Sequence, residues 1–74
     1  MKYFIEVDNL WTNGKELLNI NHIASVHQWT KEASPLKPED FKDGTTISLV
    51  NDIKISTYEL YACVLEKIHL AQRG

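Results

Sequence analysis

A single cysteine, Cys63, cannot form an internal disulfide in this 74-residue chain. That excludes the disulfide-dense secreted scaffolds and points to a reducing, cytoplasmic setting. No apolar run approaches the roughly 18 residues that cross a bilayer as a helix, so no membrane association is expected. The N-terminal stretch MKYFIEVDNLW carries acids at Glu6 and Asp8 where a secretory leader would be apolar, so no leader is expected. Positive charge is not in excess either. Eight Lys and Arg stand against ten Asp and Glu, a net charge of −2, and a small domain that grips phosphates usually has the opposite balance. Nucleic acid is therefore an improbable partner.

The motifs of catalysis are scarce too. Glycines occur only at 14, 44 and 74, too scattered for a phosphate-cradling loop. No Gly-x-Ser-x-Gly elbow is present. No Cys-x-x-Cys or His-x-x-x-His occurs, and His22, His27 and His69 do not share a spacing that converges on a metal. Cys63, between Ala62 and Val64 in a helical pattern, reads as a buried small hydrophobe. Glu39 and Asp40 lie among lysines in a loop and read as solvated charge. The expectation is a non-enzymatic protein with no catalytic residues, no cofactor and no metal site.

What remains is an ordinary globular composition, 43% hydrophobic and 24% charged, sufficient for one small domain over residues 1–74. Strand signals come first. From Lys2 to Val7 the chain alternates, with Tyr3, Ile5 and Val7 on one face. Asn13-Gly14 suits a two-residue type I′ turn. That turn would pair Thr12 with Lys15, Leu10 with Leu17 and Val7 with Ile20. Asn19 and Asn21 suggest a corner at Ile20, followed by a strand from Ile23 to Thr30. Its alternation places Ala24, Val26 and Gln28 on one face and Ile23, Ser25, His27 and Trp29 on the other. Lys31 to Gly44, with Pro35 and Pro38, reads as a long loop, with a single helical turn at Pro38–Phe41.

A second hairpin joins Thr45–Leu49 to Ile53–Ser56. A three-residue loop, Val50-Asn51-Asp52, pairs Leu49 with Ile53 and Ile47 with Ile55, keeping four apolar residues on one face. Asn51 or Asp52 then takes the left-handed conformation. Ser56-Thr57-Tyr58-Glu59 fits a capping box. It would open a helix whose apolar stripe is Leu60, Tyr61, Val64, Ile68 and Ala71, with Leu65 beside it, and which ends at Arg73-Gly74.

These elements predict an α+β domain: an antiparallel sheet of about five short strands, built from two hairpins, with one C-terminal helix packed on one face. Tyr3, Ile5, Val7, Ile47, Leu49, Ile53 and Ile55 should meet the helix. Trp11, Trp29 and Ile23 would be left on the other face or at an edge, as candidate interaction residues. A core this small supplies roughly 3–5 kcal/mol without disulfides or metal, so self-association as a homodimer is the expected function.

The segments Thr12-Asn13-Gly14-Lys15-Glu16, Leu17-Leu18, His22-Ile23-Ala24-Ser25-Val26 and Thr46-Ile47-Ser48-Leu49-Val50-Asn51, leading to Glu66-Lys67-Ile68, resemble the FlbD/SwrD-like small proteins of bacterial flagella and swarming. The resemblance spans most of residues 10–68 and implies the same strand, hairpin and terminal-helix order. It implies no catalytic residue. The Lys31–Asp43 loop departs from the pattern as an insertion, and Asn51-Asp52 stands where the family has Asn-Gly. A fainter similarity, to LytTR-type domains, implies the alternative of a strand-rich, nucleic-acid-binding transcription regulator.

Overall fold

The structure, a computed structural model, describes residues 3–73. Lys2 and Gly74, expected at the start of the first strand and the end of the helix, lie outside the described residues. The elements are β1 (Phe4–Asn9), β2 (Gly14–Asn19), a 3₁₀ turn (Ile20–His22), β3 (Ile23–Gln28), a second 3₁₀ turn (Pro38–Asp40), β4 (Thr45–Leu49), β5 (Lys54–Thr57) and α1 (Tyr61–Arg73). The α+β architecture, with five antiparallel strands and a C-terminal helix packed on them, is as expected. Ile5, Val7, Leu18, Ile47, Ile55, Val64 and Ala71 form the core, with Ile20, Ile23, Val26, Leu49 and Ile68 packed around it.

The strands form two sheets rather than one, β1–β2 and β3–β4–β5. The cause lies on the β1 edge that faces β5. There the Asp8 N–H donates to the Glu59 carboxylate (3.1 Å), and the Glu6 carbonyl accepts from the Lys67 ammonium (2.7 Å). Lys67 and Glu59 also pair with each other. These side chains occupy backbone groups that a continuous sheet would pair with β5. Only at Leu10 does a strand-like bond cross the gap, from its N–H to the Ser56 carbonyl (2.7 Å).

The first hairpin departs from its expected register. Asn9 faces Gly14, Asp8 faces Lys15, Val7 faces Glu16 and Ile5 faces Leu18. The loop is Leu10–Asn13. It closes through Asn13 N–H to the Asn9 carbonyl (2.9 Å) and Trp11 N–H to the Asn9 side-chain oxygen (2.9 Å). A type I′ turn needs positive φ at both central residues. Here Asn13 takes it (φ 59°) and Gly14 does not. The Asn9 side chain captures Trp11 first, and the resulting register sets Leu18 against Ile5, both buried, instead of against Asn9.

The corner at Ile20 forms, with the Asn19 side chain accepting from the Asn21 N–H (2.9 Å). In β3 a register shift between Ile23 and Ser25 breaks the simple alternation. The bulge lets Ile23 and Val26 both pack on the core. Ile23 therefore belongs to the core side, a correction to its expected place on the opposite face or at an edge. The second hairpin pairs Ile47 with Ile55 and Ser48 with Lys54, and Leu49 N–H bonds the Ile53 carbonyl (2.8 Å). This is the expected register, and Asp52 is the left-handed residue (φ 68°). Ile53, expected to meet the helix, is exposed.

The helix begins later than the capping box implied. Ser56 and Thr57 are held in β5 opposite Thr46 and Thr45, so the chain must leave the sheet before it can coil. The first helical bond runs from Val64 N–H to the Leu60 carbonyl (3.0 Å). Thr57 Oγ1 accepts from Glu59 N–H (3.2 Å), while Thr45 Oγ1 donates to the Glu59 carbonyl (2.8 Å). The far end of the helix is tied to the sheet at Tyr3, whose N–H donates to the Ala71 carbonyl (3.1 Å) and whose carbonyl accepts from Ile20 N–H (2.8 Å). Tyr3 makes both bonds from a left-handed backbone conformation (φ 67°).

Candidate interaction surface

Three connections meet at one end of the molecule, because β1, β3 and β5 end there and β2, β4 and α1 begin there. They are the 10–13 hairpin loop, the 29–44 segment and residues 58–60. At this end Trp11, at 65% exposure, Tyr58, Leu60 and Tyr61 are all open to solvent. Two shallow clefts flank the 58–60 connection. One, about 190 Å³, is lined by Asp8, Asn9, Leu10, Asn13 and Tyr58. The other, about 320 Å³, is lined by Gln28, Asp43, Gly44, Leu60, Tyr61 and Ala62.

Tyr58 is held from two sides. Its ring meets Trp29 edge-on (5.8 Å between centroids, 75°), and the Lys42 ammonium lies 5.7 Å from its centroid. Trp29 itself is buried at 3% exposure and is not an exposed interaction residue. Its indole N–H donates to Thr46 Oγ1 (2.8 Å) and its backbone N–H to the Gly44 carbonyl (2.9 Å). Thr46 sits between Thr45 and Ile47, which are fully buried on the core side, so strand alternation turns it to the opposite face. Trp29 thus fills a satellite pocket on the face away from the helix. Gly44 makes room for it: an added Cβ would overlap the indole and lie 2.7 Å from the Thr57 carbonyl oxygen.

The sequence leaves Trp11, Trp29 and Ile23 on the face away from the helix or at an edge. The structure separates them into an exposed hairpin tip, a buried pocket and the rim of the core. The residues that join Trp11 at the exposed end are Tyr58, Leu60 and Tyr61. Sequence reasoning misses the exposure of Leu60 and Tyr61 because it begins the helix at Ser56, which puts both on the apolar stripe. The strand pairing potential of Ser56 and Thr57 was the signal for a later start.

Cys63 is exposed in the first turn of α1, not buried. Its neighbour Val64 faces the core, about 100° around the helix, so Cys63 cannot. Among the described residues no three His, Cys, Asp or Glu side chains gather as metal ligands. Glu39 and Asp40 are exposed. Lys15 is raised above its ordinary 10.5 by its hydrogen bond to Asp8 (3.0 Å), then by the charge of the same carboxylate. No described helix is long and apolar enough to cross a membrane. No family model, curated protein or solved structure matches this chain.

Proposed function

We propose that this chain is a non-enzymatic protein-interaction module that self-associates. The observation that carries the proposal is the exposed apolar end formed by Trp11, Tyr58, Leu60 and Tyr61, with Leu17 exposed on the adjoining strand β2. Aromatic side chains concentrated at one end of a small fold supply contact area at low entropic cost, which is why interfaces are enriched in them. The clefts beside them are open and shallow, with no converging acid, base and nucleophile, so contact rather than turnover is the chemistry they suit. The alternative, a strand-based reader of nucleic acid, lacks a favouring observation. Lys15 is committed to Asp8 and Lys67 to Glu59, which removes two cations from any phosphate-binding stripe. A role in motility, implied by the resemblance, rests on turn and core residues.

Sedimentation velocity of the intact chain, from the low micromolar to the near-millimolar range, tests the proposal. A sedimentation coefficient that rises with concentration supports it. A single monomeric species throughout, together with salt-sensitive retention on a DNA or RNA column, replaces it with the alternative.

A further inference from the structure

We infer that β2 is the strand through which two copies of this chain pair, antiparallel and two-fold, with Leu17 facing Leu17 of the second copy. The inference rests on the proposed self-association and specifies where it occurs.

The free backbone groups can be assigned. Ile20 N–H bonds the Tyr3 carbonyl, which continues the β1–β2 register by one more pair. Directly bonded pairs alternate along an antiparallel ladder, so Leu18, Glu16 and Gly14 point their main-chain groups at β1. Lys15 and Leu17 point theirs away, as does the N–H of Asn19. The bonds from Asp8 and Leu10 to Glu59 and Ser56, on the other edge of β1, have the matching parity. β2 is therefore an open edge. Leu17 stands 52% exposed at its middle, and among the described residues β1 is its only sheet partner. The other open edge, β3, is blunted by the bulge between Ile23 and Ser25, a feature that turns an edge away from further pairing.

Charge and parity narrow the register, and the exposed Leu17 side chain, which gains an apolar partner only when the two-fold is centred on it, fixes it. A two-fold pairing must set outward-pointing residues opposite one another, which excludes a centre between Glu16 and Leu17. Centring on Lys15 opposes two ammonium groups, and centring on Glu16 opposes two half-buried carboxylates. Like charges directly opposite are destabilising. Centring on Leu17 opposes leucine with leucine, Lys15 with Asn19 and Glu16 with Leu18, and no like charges meet. The charge of Lys15 is already met by Asp8 on its own sheet. The same register carries each hairpin tip, with Trp11, toward the second copy's Ile20–His22 turn. One edge strand from each copy makes a contact at the small end of specific interfaces, so the pairing is sought up to near-millimolar concentration.

Leu17→Lys and Leu17→Pro test the pairing. Lysine places like charges at the two-fold. Proline removes an N–H that the protomer does not use, a substitution edge strands tolerate. Each variant is expected to weaken dimerisation by more than about tenfold in sedimentation, with circular dichroism unchanged. Should Leu17→Pro fail to fold, Leu17→Lys, at an exposed side chain, still decides the question. A wild-type dimer that both folded variants retain overturns the β2 pairing and leaves self-association standing. A wild-type chain that stays monomeric overturns both, whatever foreign strand the edge then accepts.

Discussion

Two close-packed positions carry sharp expectations. At Gly44 even a methyl group meets the Trp29 indole and the Thr57 carbonyl. Gly44→Ala should cost about 1–3 kcal/mol in denaturant unfolding. In a Trp11→Phe background, Trp29 fluorescence should shift to the red as the ring is pushed outward. An unchanged emission maximum and midpoint would show the pocket to be loose. Trp29→Ala should cost about 3–5 kcal/mol, most of the stability of a domain this size. Trp29 was legible in the sequence only as an aromatic at a strand end. Its burial depends on Thr46 across the sheet, on Tyr58 and on the space left by Gly44, contacts that alternation within β3 cannot reveal. Cys63 has a simpler account: its apolar character suggests burial, while the helical phase fixed by Val64 and Ala71 turns it outward.

The elements show where local signals compete. The β4–β5 register was readable because only one loop length keeps Ile47 against Ile55, and nothing else in the hairpin opposes it. The β1–β2 register was not, because the Asn13-Gly14 turn signal loses to the Asn9 side chain and to the gain from burying Leu18 against Ile5. Asn9→Ala, which deletes the acceptor for Trp11 N–H, should cost about 1–2 kcal/mol and broaden the amide resonances of residues 10–13. Sharp, unmoved resonances would show that the loop does not depend on that bond. The split between the sheets rests on Glu59 and Lys67. Glu59→Ala leaves the Asp8 N–H without its acceptor and the Lys67 ammonium with the Glu6 carbonyl but no counter-charge, and should cost about 1–3 kcal/mol. Glu66→Ala, on the exposed side of the same helix, should stay within about 0.5 kcal/mol. Equal losses from the two substitutions would remove Glu59 from its structural role.

The Asp8–Lys15 pair is exposed, so its effect is small and salt-screened, but its pH dependence has a definite sign. Its contribution is complete below the unfolded lysine's 10.5 and fades as pH rises through the higher folded value. The difference in thermal midpoint between wild type and Lys15→Met should therefore shrink across that alkaline window. A difference that does not change with pH would mean that the pair contributes nothing to stability.

For the whole molecule, the order of strands and helix was readable from periodicity and turn residues, and so was the prospect of uncovered apolar surface. Its location was not. The leftover surface depends on where the helix begins and on how the sheet divides, and both follow from long-range contacts of Glu59, Thr45 and Lys67. The helix covers the core side, Trp29 and its neighbours fill a pocket on the other, and Trp11, Leu17, Tyr58, Leu60 and Tyr61 are among the large apolar side chains left in solvent. The proposed self-association joins copies of the chain along β2. Amide hydrogen exchange of the wild-type chain reads this directly, since the Leu17 N–H has no partner within the β1–β2 ladder. At high protein concentration Leu17 and Lys15 should exchange markedly more slowly than in dilute solution, while Leu18 and Glu16, bonded to β1, keep their protection at both. Equal exchange rates for Leu17 at the two concentrations would contradict the account.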